Sequence, residues 1–518
     1  MMWRGNEDKA MEAVWIGVDV GTTGVRAVAY QPDGLSRGEA SREYPLYTPH
    51  PGWAEQDAGE IAAAVELALG EVSSALARSG RRAGGIALST TFHSFLAYDK
   101  ELRPLSRLVT WADNRSQNIV AEIKNSGLDL LSVYRRVGCP LHASYPVTKV
   151  AWWLRQHASA GQRFGSIKDY LFFAMTGEWV VDRSIASGSG LYDLFQLRWD
   201  DELLRYLGIR DESLPAVVPT TFSRPLCAGA ARRTGLPAGT PVVIGAGDGV
   251  LANVGIGAVN PGQMSATIGT SGAVRILSEL PRTDSKARTW CYNLTDEMWV
   301  LGGAISNGGI VLRWLRDNFA DSERELAAKL GVDTYELLTA EAGKVPAGAD
   351  GLILLPFFLG ERAPHWNSNL RGVLFGLNFN HGKAHVIRAA MEGICYSMNS
   401  ILRALEEVTG TVREIRASGS FIRSELWTQT LADVFNRDLH LPDINQGVAF
   451  GAAVLGFVAA GELSGIGDTA RLVGVAKSYR PRAEAAADYN RLYGIYERVY
   501  GNLAESLAEI SAYQAEHA

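Results

Sequence analysis

The chain has 518 residues, 47% of them hydrophobic and 20% charged, with a net charge of −6. That size and balance describe a globular protein with room for more than one domain and a core that needs no disulfide or metal staple. The acidic balance, with no block of Lys and Arg, argues against general affinity for nucleic acid or an anionic membrane.

Residues 1–13 read as a loose, charged leader without the apolar run of a signal peptide. A first strand is expected at Val14–Asp19 and a second at Val25–Tyr30, joined by the turn Gly21-Thr22-Thr23-Gly24. Such a β-hairpin exposes backbone N–H groups and hydroxyls at its tip. An amphipathic helix follows at Ala58–Ala77, then apolar strands at Gly84–Ser89 and Pro241–Ala246. The weakly polar stretch from Pro241 to Val259 is Gly-rich and carries Asp248 at its middle, which makes a membrane helix a poor reading of it. Next come a helix at Glu323–Leu330, a strand at Gly351–Pro356, a helix at Ala384–Thr409 and a long closing helix from Ala483 to near Gln514. This alternation predicts α/β layers. The cysteines Cys139, Cys227, Cys291 and Cys395 are scattered and form no C-x-x-C pair, the pattern of a reduced, cytoplasmic protein.

One internal echo organises the chain. Gly21-Thr-Thr-Gly-Val-Arg-Ala-Val28 is answered by Gly269-Thr-Ser-Gly-Ala-Val-Arg-Ile276, again behind an apolar segment. The separation is too long for a solenoid repeat. Either two turns share common turn residues or two related domains each present a Gly-Thr hairpin. The turn Asn260-Pro-Gly262 favours the second reading, with domains at 14–259 and 260–518.

Two hairpin tips could grip phosphate oxygens from both sides of a cleft. Asp19, ending the first strand, could bind Mg²⁺ through water, and Arg26 could add positive charge. There is no GxxxxGK[ST] segment, so a P-loop is excluded. Asp248, in Gly245-Ala-Gly-Asp-Gly249, is either a turn aspartate bonding its own backbone or a base able to accept a proton from a bound hydroxyl. Phe92-His93 and Trp111-Ala-Asp-Asn-Arg115 offer aromatic faces and polar groups suited to a polyhydroxylated ligand. Trp152, Trp153 and Leu154 read as a core face.

These residues converge on a resemblance. Ser144-Tyr-Pro-Val-Thr-Lys149-Val-Ala-Trp152 and Gly372-Val-Leu-Phe-Gly376-Leu377, with His385-Val386 and Ala389-Ala-Met-Glu392, resemble the two signatures of the FGGY carbohydrate kinases, from about Val14 to about Gly461. Trp111–Ser116 and Gly360-Glu-Arg-Ala-Pro-His-Trp-Asn367 look most like the members that phosphorylate gluconate. The resemblance implies a two-domain actin-like (RNase H-like) fold, ATP with Mg²⁺, and Asp248 as catalytic base. It implies Gly21, Thr22, Thr23, Arg26, Gly269 and Thr270 at the phosphates, and Gly309, Arg313, Gly419 and Ser424 along the nucleotide. Phe92, His93, Trp111 and Asp248 would face the sugar, and Arg115 is the candidate partner for an acceptor carboxylate. Xylulose is the alternative acceptor; an actin-like ATPase or a sugar sensor without kinase activity are the alternatives of another class. A small-molecule sugar or sugar acid is the expected partner, and a homo-oligomer stays open. Three departures stand out: Ser420 where glycine is usual, Asn445-Gln446-Gly447 in place of a Glu-containing turn, and Arg313 where relatives often carry a neutral side chain.

Overall fold

The computed structural model describes residues 13–157, 162–444 and 446–517. The expected leader therefore lies, apart from Ala13, outside the described residues, as does Asn445.

Each half of the chain builds a sheet of the same design. In the first, the hairpin of Ala13–Val20 and Gly24–Tyr30 is extended on one side by antiparallel Ser36–Glu43. On the other side lie parallel Arg82–Thr90 and Pro241–Gly247, with antiparallel Ser223–Pro225 at the edge. In the second, the hairpin of Gln263–Ile268 and Gly272–Ser278 is extended by antiparallel Trp299–Ile305 and then Trp290–Asn293. Its other side carries parallel Glu414–Ser418 and Asp438–Pro442, closed by antiparallel Val475–Tyr479. The order and direction of the central strands repeat, and the Gly21 and Gly269 turns occupy the same place in each. The fold is a duplicated, actin-like α/β architecture.

The central strands are near-continuous apolar runs because helices cover both faces; Val14, Trp15, Ile16, Val18 and Val20 are all buried. The helix Ala58–Arg78 starts where Asp57 caps Gly59 N and Glu60 N, and it lays Ile61, Val65, Leu69, Val72 and Leu76 inward at helical spacing. The strand expected at 351–356 is shorter, Ile353–Leu355, because Ala349–Gly351 is a 3-10 turn. The closing helix Ala483–Glu516 packs a tyrosine stripe on Lys383–Thr409: Tyr489 Oη donates to Glu392 at 2.7 Å, Tyr493 Oη to Ser400 at 3.0 Å, and Tyr496 shares a bond with Ser397 at 2.8 Å.

Two helices join the halves. Asp248–Gly255 follows the strand Pro241–Gly247, and Gly447–Ala459 follows Asp438–Pro442, matching positions in the repeat. They lie so close that a Cβ on Gly255 would sit 1.5 Å from the Gly447 carbonyl oxygen, an approach only glycine permits. The later helix rests on the first sheet: a Cβ on Gly17 would sit 1.9 Å from the Ala449 oxygen. Sequence position 260 separates the two sheets, but the packing crosses it. Among the described residues no helix is long and apolar enough to cross a membrane.

Candidate functional site

The first-sheet strands end at a common seam. Asp19 lies opposite Ser89, whose hydroxyl donates to its Oδ1 at 3.2 Å. Asp248 is the first residue of the helix Asp248–Gly255, a correction to the open glycine turn the sequence suggests. Its Oδ1 accepts the Gly249 N–H at 2.6 Å, so the local backbone bond exists, and the carboxylate still opens onto a cavity. That cavity holds about 470 Å³ and is lined by Asp19, Arg26, Asp248, Arg275, Gly419 and Gln446. A neighbouring cavity of about 600 Å³ collects Gly269, Thr270, Gly309, Arg313, Ser420 and Ser424. Its size suits a nucleotide.

Burial pushes the Asp19 carboxyl up to about 7, and the charge of Asp248 adds to the push. Burial also raises Asp248, while Arg275 and the N–H groups of Gly249 and Phe92 pull it back toward ionisation. Two carboxylates in one cavity suit a divalent cation. Among the described residues no cluster of three or more His, Cys, Asp or Glu surrounds a metal position. Two carboxylates beside open cavity space are a donor set that fits Mg²⁺, which keeps much of its water and takes phosphate oxygens.

The hairpin tips offer fewer backbone donors than their sequence suggests. Gly21 N–H closes its own turn on Gly24 O at 2.9 Å, and Gly269 N–H closes on Ser271 O at 2.8 Å. Exposed Thr23 and Thr270 remain at the tips. Thr22 Oγ1 accepts the Trp111 indole N–H at 3.0 Å, which ties the first tip to the aromatic loop and leaves the Thr22 O–H free to donate. Arg26 reaches across the seam to the Gln446 side chain, so the departure at 445–447 supplies an inter-sheet contact. The second tip is bound to the helix Gly309–Phe319 by Gly309 N–H to Gly269 O at 2.7 Å. Gly419 has φ +104°, and a Cβ there would sit 2.4 Å from the Ile268 oxygen. Ser424 caps the helix Glu425–Phe435 through Trp427 N–H at 3.1 Å, Arg313 is exposed on the cavity wall, and Ser420 is exposed at its rim.

In the aromatic cluster, His93 adopts φ +63°, a left-handed backbone held by Lys149 Nζ, which donates to His93 O at 2.6 Å and Thr110 O at 2.7 Å. His93 Nε2 and Tyr292 Oη are 3.0 Å apart, and Tyr292 Oη lies 3.1 Å from Tyr145 Oη. Burial, then the charges of Lys149 and Arg362, keep His93 well below its usual pKa and therefore neutral. Phe92 is buried, its ring 4.9 Å from that of Tyr292, and it floors the site beneath Gly247 and Gly249.

Arg115 does not do what the sequence assigned to it. Its guanidinium is bidentate to Asp113 at 2.9 and 2.7 Å, bonds Glu55 at 2.7 Å, and lies 3.6 Å over the Trp53 ring with its side chain 4% exposed. Those acceptors and the Trp53 and Trp152 rings engage it, leaving it an architectural ion pair. Sequence reasoning missed Arg275, Arg362, Tyr145 and Tyr292. Arg275 was visible only as the arginine behind the second hairpin, and Arg362 lay unremarked inside the quoted 360–367 segment.

Residues 14–255 match the sequence profile described as "FGGY family of carbohydrate kinases, N-terminal domain", and residues 264–460 match its C-terminal counterpart. The chain is 40% identical over 509 residues to a "Gluconokinase" of Bacillus subtilis (strain 168), covering 97% of this chain and 99% of that one. Among solved structures it is similar to a gluconate kinase from Lactobacillus acidophilus, with a TM-score of 0.90 and 30% identity over 96% of this chain and 99% of the other. A ligand-bound xylulose kinase from the same organism is equally close in shape, with a TM-score of 0.90 and 31% identity over 96% of this chain and 100% of the other.

Proposed function

Since the chain belongs to the FGGY family of carbohydrate kinases, and so is a phosphotransferase acting on an alcohol group, we propose that it transfers the γ-phosphoryl group of ATP to D-gluconate, giving 6-phosphogluconate. The observation that carries this reading is the full-length likeness to a gluconokinase, joined to the Asp248 carboxylate that opens onto the cleft cavity. The C6 hydroxyl sits at Asp248, which takes its proton as the new O–P bond forms and the bridging O–P bond to ADP breaks. Thr22, Thr23 and Thr270 donate to phosphate oxygens, with Arg26 adding charge from the seam. Gly309, Arg313, Gly419 and Ser424 border the nucleotide. Asp19 would hold Mg²⁺ through water, and the cation would supply charge neutralisation on the phosphates when bound. Lys149 fixes the His93 and Thr110–Trp111 backbone, so the acceptor side is set before substrate arrives.

A coupled ADP-release assay with D-gluconate, D-xylulose and glycerol tests the proposal. The largest kcat/KM is expected for D-gluconate, with a product phosphorylated at C6. The xylulose reading is favoured by the equally close xylulose kinase structure; a clearly larger kcat/KM for D-xylulose would establish it instead.

A further inference from the structure

Two guanidinium groups stand beside the acceptor side of the cleft with donors that nothing among the described residues accepts. Arg275 lines the cavity of Asp248, and its Nε and Nη1 are buried without a hydrogen-bond partner. Arg362 places its Nη2 on the Ile305 oxygen at 2.9 Å and its guanidinium 5.3 Å from the Trp111 ring centre, while its Nε is buried and unpartnered. The two belong to one electrostatic neighbourhood: the charge of Arg362 disfavours that of Arg275, and Tyr292 interacts with both.

Leaving a buried charged donor unpartnered costs more than a typical hydrogen bond returns, so such donors mark the place of an absent acceptor. The nearby protein carboxylates do not fill that place. Glu361 is occupied by the N–H groups of Ser306 and Arg362 and by Asn307 Nδ2. Asp248 bonds Gly249 N–H and has to stay open toward the reacting hydroxyl. Burial keeps the other neighbours, His93, His142, Tyr145 and Tyr292, neutral; the charge of Arg362 adds to that for the two histidines and works against it for the two tyrosines.

Resting on the sugar-acid reading above, we infer that Arg275 and Arg362 clamp the carboxylate of the acceptor and so set selectivity for sugar acids over neutral sugars. A carboxylate has lone pairs enough to accept from both guanidinium groups, and charge-assisted bonds of this kind are the strong ones. A phosphoryl oxygen of ATP would offer similar chemistry. The carboxylate is favoured because Arg362 borders Trp111 and interacts with Tyr145 and Tyr292, and lines neither cavity assigned to the nucleotide and seam.

The test compares D-gluconate with D-glucitol, which differ only in the carboxylate that becomes a hydroxymethyl group. Binding of each is measured by calorimetry to wild type, Arg275→Met and Arg362→Met, alongside a non-hydrolysable ATP analogue. Wild type should prefer D-gluconate by at least about 10²-fold, because a site built for a polar group rejects the analogue lacking it. Each Met variant should shrink that preference at least about tenfold while holding the ATP analogue almost unchanged. Arg275→Lys and Arg362→Lys, which keep the charge but lose the fork, should fall between and serve if a Met variant does not fold. A preference unchanged in both variants overturns the clamp. Loss of turnover on every acceptor in equal proportion overturns it too, and assigns the arginines to the transferring phosphoryl group. Wild type that phosphorylates D-gluconate without preferring it over D-glucitol rejects the clamp and leaves the gluconate reading intact. Wild type that turns over D-xylulose but not D-gluconate rejects the gluconate reading and the clamp with it.

Discussion

Asp19 and Asp248 end up in one cavity because of strand register. Asp19 is opposite Ser89, Ser89 is opposite Ala246, and Asp248 opens its helix just beyond that rung. The pairing puts two carboxylates near each other in a partly buried place, and burial followed by Asp248 pushes Asp19 up to about 7. A raised carboxyl binds its proton more tightly in the folded than in the unfolded chain. Its contribution to stability is thus full below the ordinary carboxylate range and is lost as pH rises through about 7.

Asp19→Asn should therefore raise the melting temperature of the nucleotide-free protein most at about pH 8, by less at about pH 5, and hardly at all once the pH approaches the ordinary carboxylate range. Activity runs the other way. On the proposed role of Asp19 its ionised form would hold the cation, so wild-type kcat/KM for ATP should fall as pH drops below about 7, and Asp19→Asn should be poorly active throughout. Scanning fluorimetry and pH-rate profiles read both. A lower melting temperature for Asp19→Asn at alkaline pH would mean that the two carboxylates do not repel in the folded state.

Lys149 offers a second check, on positioning rather than chemistry. Lys149→Met leaves the His93 and Thr110 carbonyls without their donor, at a cost of about 1–3 kcal/mol each. The strained His93 backbone and the loop into Trp111 then lose their anchor. KM for the acceptor should rise by more than KM for ATP, and the melting temperature should fall. Equal changes in both KM values would reduce Lys149 to a general stabiliser.

Much of this was legible in the sequence, for physical reasons. The hairpin at 14–30 and its echo at 269–276 announce themselves by apolar runs around Gly-Thr turns, and register then places them identically. The helix at 383–409 shows a long apolar stripe. Arg115 misled because its type suits a carboxylate, yet Asp113 two residues earlier is near enough to hold the guanidinium by itself. Arg275 was hard to recognise because a strand's alternation does not say whether an arginine points to solvent or to the seam between two sheets. The inter-sheet role of Gly447–Ala459 was hidden for the same reason: a uniformly apolar helix names no partner.

The signature residue Glu392 illustrates a motif position with a structural task. It is buried with Arg388 at 2.6 Å, and Tyr489 Oη and Gly348 N–H complete its bonds. Glu392→Ala leaves Arg388 without its carboxylate and should cost about 3–5 kcal/mol of unfolding free energy in urea titrations. Protein that remains folded should keep wild-type KM for ATP, since Glu392 lines neither cavity. A specific loss of nucleotide binding would contradict that division.

Gly419 tests the seam from the second sheet. Alanine there has to adopt φ near +104° and place its methyl against the Ile268 oxygen, so strain of about 1–3 kcal/mol or a shift of the turn follows. The turn borders the cavity with Asp19 and Asp248, and Ser420 next to it lines the nucleotide cavity. Gly419→Ala should raise KM for ATP with a smaller effect on KM for the acceptor. An unaltered KM for ATP would remove the turn from the nucleotide site.

Asp248 is the base proposed above, and Asp248→Asn separates its possible duties. The amide keeps the size of the side chain, and its oxygen can still accept the Gly249 N–H, so the start of the helix is preserved. It cannot take a proton from the acceptor hydroxyl at neutral pH. A general base is worth about 10²–10⁴ in rate, so kcat from ADP release should fall at least about a hundredfold. Arg275 loses its charged neighbour, but the seam keeps Asp19 and the hairpin contacts, so calorimetric affinities for acceptor and nucleotide should change little. A near-normal kcat removes Asp248 as the base. A collapse of acceptor affinity with kcat preserved at saturation makes it a substrate anchor instead. The replacement also removes Asp248's repulsion of Asp19, so any residual activity should keep its acid limb at a lower pH than wild type. That shift would come from relief of the shared charge and would not follow from a merely misfolded site.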